Sequence, residues 1–156
     1  MDSKFKIVLV NPDIPGNTGA IGRTCVALNL QLILIKPYGF DIDQKTVRRA
    51  GLDYWKHVNL LEFDKFEEFI DHFKPSNDQL FFFSTKAKEY YYTANFLKDS
   101  FLIFGSETAG LPSKIFSDYP ECFYKLPMFS DKIRSLNLAN TATTVAYEAL
   151  RQIDFS

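Results

Sequence analysis

Residues 133–152, IRSLNLANTATTVAYEALRQ, fall into two halves of different chemistry. In the second half and just past it, Ala142, Val145, Ala146, Ala149, Leu150 and Ile153 recur at steps of three and four. That spacing predicts a helix with one apolar stripe. The first half, Arg134-Ser135-Leu136-Asn137-Leu138-Ala139-Asn140, is dense in short polar side chains. Ser and Asn favour helix starts because their oxygens accept from the unpaired N–H groups of the first turn. A helix N-terminus also attracts anions and hydrogen-bonding ligands. Two readings are open: a capped amphipathic helix, or a ligand-binding turn feeding a helix that covers both a site and a partner. The rest of the chain has to choose.

Working outward, 156 residues are one domain's worth (1–156) and can bury a core without disulfides or metals. The chain is 46% apolar, with 16 Phe and 8 Tyr, which excludes disorder. No apolar run approaches the roughly 20 residues that span a bilayer. The first six residues lead straight into a short apolar strand without signal-peptide architecture, so a cytoplasmic location is expected. Cys25 and Cys122 lie far apart with no CxxC or Cys/His grouping, the pattern of reduced, buried thiols rather than of a metal site. The net charge is only −1, so a nucleic-acid partner would have to be met by local positive potential, or by potential assembled from two subunits.

Along the chain, residues 5–10 (FKIVLV) read as a doubly buried strand, and residues 11–19 (NPDIPGNTG) as a loop, since two Pro and two Gly argue against a regular element. A helix is expected over 20–29, a strand over 32–35, a turn at 37–40, and a charged helical segment over 44–50 stopped by Gly51. Apolar positions at Leu61, Phe66, Phe69, Ile70 and Phe73 predict a helix over 61–73. Strands follow over 79–85, 101–104 and 122–126, with one short helix over 112–117 before the closing helix. Strands alternating with helices indicate an α/β domain with a mostly parallel sheet flanked by helices. Such sheets bind ligands beyond the carboxyl ends of their strands.

Three loops follow strands there. In the first, NPDIPGNTGAIGR, Asn17 can cap the following helix or bond a ribose hydroxyl. Arg23, placed in that helix's first turns, suits either a surface ion pair or a bound anion. The loop is neither a Walker sequence nor GxGxxG. In the second, FGSETAGLP, Gly105 permits close approach of the backbone, and Glu107 can cap a helix or orient a substrate. In the third, the opening stretch, Ser135 and Asn137 could hold the edge of a purine.

NPDIPGNTGAIGR, LIFGSETAGLP and RSLNLANTATTVAYEA, in this order and spacing, resemble the three motifs of the SPOUT RNA methyltransferases. The similarity takes in RRAGLDYW and STK as well, and points to the short single-domain subfamily that methylates the ribose 2′-hydroxyl of the wobble nucleotide of tRNA. The resemblance implies a C-terminal deep trefoil knot, S-adenosylmethionine as methyl donor, and no metal, because the sulfonium is already activated. Carried over by position, donor contacts fall at Phe83, Gly105, Leu126 and Ser135, with Asn137 beside them. Phe83 stands where family members often have a smaller aliphatic residue.

Arg23 matches the family's motif-one arginine. Always protonated, it suits a phosphate and a developing alkoxide better than it suits a base, with Asn17 and Glu107 arranging its surroundings. The resemblance also implies a homodimer packed through the knot region, with Tyr147 and the last helix's stripe as candidates and one subunit's arginine acting at the other's site. For the tRNA anticodon stem-loop the candidate cations are Arg48, Arg49, Lys56, Lys86, Lys88 and Arg134, with Lys86 preferred for its place just past a strand end. Tyr90-Tyr91-Tyr92 reads either as an edge strand with packed rings or as a stacking surface for unpaired bases. Two alternatives are an RNA- or nucleotide-binding α/β-knot module without methyl transfer, and ribose 2′-O-methylation at another RNA position.

Overall fold

The computed structural model describes residues 2–41 and 52–155. Four strands carry its centre: β1 (Lys6–Val10), β2 (Gln31–Ile35), β4 (Leu80–Phe83) and β6 (Phe101–Phe104). Three shorter or more exposed strands complete it, β3 (Asn59–Phe63), β5 (Glu89–Tyr90) and β7 (Phe123–Lys125). The order is β3-β2-β1-β6-β4-β7-β5, and every pairing is parallel. The carboxyl ends of the strands therefore share one edge, and the loops that follow β1, β4, β6 and β7 start from it.

Alternate side chains of a strand point to opposite faces, and the central strands are apolar on both. Ile7, Leu9, Leu32, Leu34, Phe81, Phe83, Leu102 and Phe104 pack beneath two helices, α1 (Pro15–Leu28) and α4 (Leu138–Phe155). Val8, Val10, Ile33, Ile35, Phe82, Phe101 and Ile103 pack beneath α2 (Phe66–Phe73) and α3 (Ser113–Asp118). The helix α4 shows the stripe read from its sequence, with Ala142, Val145, Ala146 and Ala149 all fully buried.

Two expectations are corrected. The first loop is shorter than 11–19, because α1 already begins at Pro15. Proline at the first helical position gives up only an N–H that would be unpaired anyway. Gly16 and Gly19 cost the helix about 1 kcal/mol each relative to alanine, which tertiary contacts outweigh. Arg23 consequently lies in the third turn of α1, not the first, so the helix dipole does not explain its placement. The helix expected over 61–73 divides into β3 and α2. Leu61 and Phe63 belong to a strand in register with Ile33 and Ile35 of β2, and the helical period begins only at Phe66. Short apolar runs do not distinguish strand from helix by periodicity.

The segment over 44–50, Gly51, Arg48 and Arg49 lie outside the described residues. Beyond Gly51 the chain makes a single tight helix, Leu52–His57. Trp55 from it covers Gly22 of α1, where a Cβ would sit 2.6 Å from the indole ring. Any side chain at position 22 would push this segment off α1.

Candidate active site

The loop after β6 closes on itself. Ser106 and Gly110 exchange backbone hydrogen bonds, and the Ala109 N–H donates to Ser106 Oγ at 2.9 Å. Gly110 adopts φ +68°, and a Cβ on Gly105 would lie 2.3 Å from the Gly110 carbonyl carbon. This tight turn accounts for both glycines.

It also aims Glu107 at the start of α1. One carboxylate oxygen accepts the Asp13 N–H at 2.9 Å, and the other accepts the Ile14 N–H at 2.9 Å and Asn17 Nδ2 at 3.1 Å. A carboxylate at a helix N-terminus meets the positive end of the dipole, a contribution of about 0.3–1 kcal/mol at a surface and more when partly buried. Ile14, the residue preceding α1, has no capping side chain of its own, so Glu107 supplies the cap from 93 residues away.

Asn17 extends the network. Its Oδ1 accepts Asn137 Nδ2 at 3.1 Å, while Asn137 Oδ1 accepts the Asn140 N–H at 3.0 Å and so caps α4. Thr108 donates to the Asp13 carboxylate. Side chains thus knit the three motif loops, and the cap of α4 belongs to the same network as the site. Asn17 and Glu107 are both engaged by residues of other loops.

Between these loops lies a cavity of about 630 Å³. Phe83, Gly105, Leu126, Ser135 and Asn137, the five expected donor contacts, all line it. So do Lys86 and Arg134. Its size falls within the roughly 300–1,000 Å³ of small-molecule sites. Between residues 127 and 136 the backbone makes no hydrogen bond to other backbone among the described residues. Apart from the Lys132 N–H, which donates to Ser130 Oγ at 3.1 Å, these N–H and C=O groups have no protein partner among the described residues and are left to solvent or a ligand. Phe83 is 7% exposed, and its ring stacks on Phe104 at 4.9 Å, so the large residue at this position is absorbed by the core.

Arg23 does not line the cavity. It is exposed on α1, with its guanidinium carbon 5.2 Å from the centre of the Tyr54 ring and no ion pair among the described residues. Tyr147 is 52% exposed on α4. Burial pushes the Cys25 thiol up to about 12 and raises the Cys122 thiol, disfavouring the thiolate form at both. A second cavity of about 420 Å³ lies between α2 and α3 and contains none of the expected site residues. Two residues were missed by sequence reasoning. Lys125 lines the main cavity from a strand that reads as structural, and Tyr54 sits within RRAGLDYW without any signal of its contact to Arg23.

Known proteins share this build. A Burkholderia cenocepacia protein named tRNA (cytidine(34)-2'-O)-methyltransferase is 40% identical over 152 residues, 97% of this chain and 97% of its own length. A solved structure concerned with the 2-OH methylation of C/U34 on tRNA superposes with a TM-score of 0.87 at 40% identity, over 95% of each chain. The SpoU methyltransferase AviRb from Streptomyces viridochromogenes, solved in complex with AdoMet, gives 0.81 at 26% identity over 97% of this chain and 59% of that one. With its sequence profile matching residues 4–147, across all three knitted loops, the chain belongs to the SpoU rRNA Methylase family.

Proposed function

We propose that this protein methylates the ribose 2′-hydroxyl of the wobble nucleotide of tRNA, cytidine or uridine 34, with S-adenosylmethionine as donor. The observation that carries the reading is the single cavity on which the three motif loops converge, held by the Glu107–Asn17–Asn137 network. Relatives of full matching length with that named activity support it.

When bound, the donor supplies a methyl group already activated on a sulfonium. Gly105, Leu126 and Ser135 hold it through main-chain groups, Phe83 and Asn137 complete the walls, and the C-terminal segment reaches its place by threading a trefoil knot. Lys86 and Arg134 meet phosphates of the anticodon stem-loop and set its register. Alignment of the 2′-oxygen with the methyl group supplies much of the rate, up to about 7–11 kcal/mol in ideal cases. Arg23 binds the phosphate beside the target ribose and stabilises the developing alkoxide, and the proton leaves to that phosphate or to water. Arg23 lies outside the cavity of its own chain, which supports a role at the site of a second copy. Phe129, Ile133, Leu136 and Tyr147 are exposed apolar groups between residue 127 and the middle of α4, and their exposure supports that homodimer. The enzyme acts in the cytoplasm, on tRNA.

The test is incubation with labelled S-adenosylmethionine and tRNA from a strain lacking the enzyme, followed by nucleoside mapping. Label on the 2′-oxygen of nucleotide 34 is expected. Label on no ribose overturns the reading, and tRNA binding without any transfer would leave the binding-module alternative. A monomer in analytical ultracentrifugation at working concentration would defeat the dimer.

A further inference from the structure

The tyrosine run 90–92 has no part in the site as described. The structure sorts its three rings. Tyr91 packs against the core beneath α1 and α4. Tyr90, the last residue of β5 at the sheet edge, and Tyr92, in the turn Tyr91–Thr93, stack on each other, with ring centres 5.4 Å apart and planes 24° apart, and Tyr91 meets Tyr92 edge-on at 5.4 Å. Tyr92 is 52% exposed. Lys125 Nζ stands 5.4 Å from the centre of the Tyr90 ring, and Lys125 also lines the cavity. One side chain therefore connects the tyrosine pair to the site.

The Tyr92 ring, half open to water, is poorly used as core, while Tyr90 beneath it is only partly exposed. The edge they flank is a two-residue strand that needs little cover. The charges close to them in the chain or in contact are Lys88 and Lys125 against Glu89, a positive balance that Lys86 and Arg134 extend along the cavity. Aromatic faces beside cations are what an unpaired base and its phosphate require.

We propose that Tyr90 and Tyr92, with Lys125, form a stacking platform for an unpaired base of the RNA strand that flanks the nucleotide entering the cavity. This rests on the reading of the cavity as an RNA-modifying site and adds to it the place where a neighbouring base is held. Specificity of this kind tolerates any base, because every base presents a π-face, so the platform fixes the strand rather than selects its sequence.

The experiment uses the full-length protein and anticodon stem-loop RNAs carrying 2-aminopurine beside the target nucleotide. Binding is expected to quench the fluorophore with wild type and with Tyr92→Phe, and to leave it bright with Tyr92→Ala and Tyr92→Leu. Leucine keeps the apolar contact without the ring, so a folded Tyr92→Leu protein serves if the alanine variant is unstable. In steady-state assays the alanine variant should raise KM for RNA by about ten-fold, with the loss falling on KM rather than kcat and with donor affinity unchanged. Unquenched fluorophore with wild type, or an unchanged KM in Tyr92→Ala, overturns the platform and makes the pair a cover for the edge. Transfer without quenching defeats the platform alone, whereas quenching without any transfer keeps the platform and defeats the enzymatic reading.

Discussion

The two faces of the sheet are built differently. Beneath α2 and α3 the packing is aromatic: Phe69 sits between Phe63, Phe66, Phe73 and Phe101, and Phe82 stacks on Phe123. Beneath α1 and α4 the covering helix presents Ala139, Ala142, Ala146 and Ala149, and the two helices are joined by a Thr24–Thr143 hydrogen bond of 2.9 Å. Large rings bury much area and hold their neighbours by shape. Small side chains let helices approach closely and leave polar groups free to join loops. Ring packing holds α2 to its face of the sheet, and small side chains let α4 close on the other.

The severest test of that division is Phe69→Ala. Removing a fully buried ring should cost about 3–5 kcal/mol in denaturant unfolding, with donor affinity of the folded protein intact. Loss of donor binding in the folded variant would mean that the two faces are not separable. On the other face, Arg23→Lys keeps charge but loses the two-pronged geometry. Activity should fall by at least about a hundred-fold, roughly 3 kcal/mol, with thermal stability and donor affinity near normal. Wild-type turnover would remove Arg23 from catalysis, and equal loss of donor binding would assign it to the donor.

Glu107→Gln probes the network between these extremes. An amide cannot accept at both ends, so an N–H of Asp13 or Ile14 faces a donor, and the charge on the helix start is lost. A stability loss of about 1–2 kcal/mol by calorimetry and weaker donor binding are expected together. Stability loss with normal donor binding would reduce the network to a helix cap. The smallest effect is that of Tyr54→Leu, which removes the ring under Arg23. A two- to five-fold drop in kcat, about 0.5–1 kcal/mol, with unchanged donor affinity would mark Tyr54 as a positioning residue. No change would make the contact incidental.

Several parts of this arrangement were legible from residues alone. The doubly apolar runs FKIVLV, LFFF and FLIF are central strands, and the alanine stripe of α4 is buried as its spacing indicated. The loops holding Gly105, Leu126, Ser135 and Asn137 meet at one cavity, as their places after parallel strands implied. The early start of α1 was not legible, because Pro15, Gly16 and Gly19 weigh locally against a helix, while the carboxylate that caps it belongs to a loop 93 residues away. Nor was the strand β3, whose identity depends on pairing with β2 rather than on its own pattern.

Sequence by itself determined the class of fold, the strands buried on both faces and the chemical content of the three loops, because periodicity and residue type act locally. Only the tertiary structure decided what those residues do to one another. It turned Glu107 and Asn17 into links between loops, set Arg23 against Tyr54 outside its own cavity, and divided three consecutive tyrosines between core and surface. The reason is that hydrogen bonds and ring contacts are made between residues distant in the chain. The helix over 138–155 keeps the description its spacing implied, and its cap at Asn137 acquires a second role only because Asn17 is brought beside it.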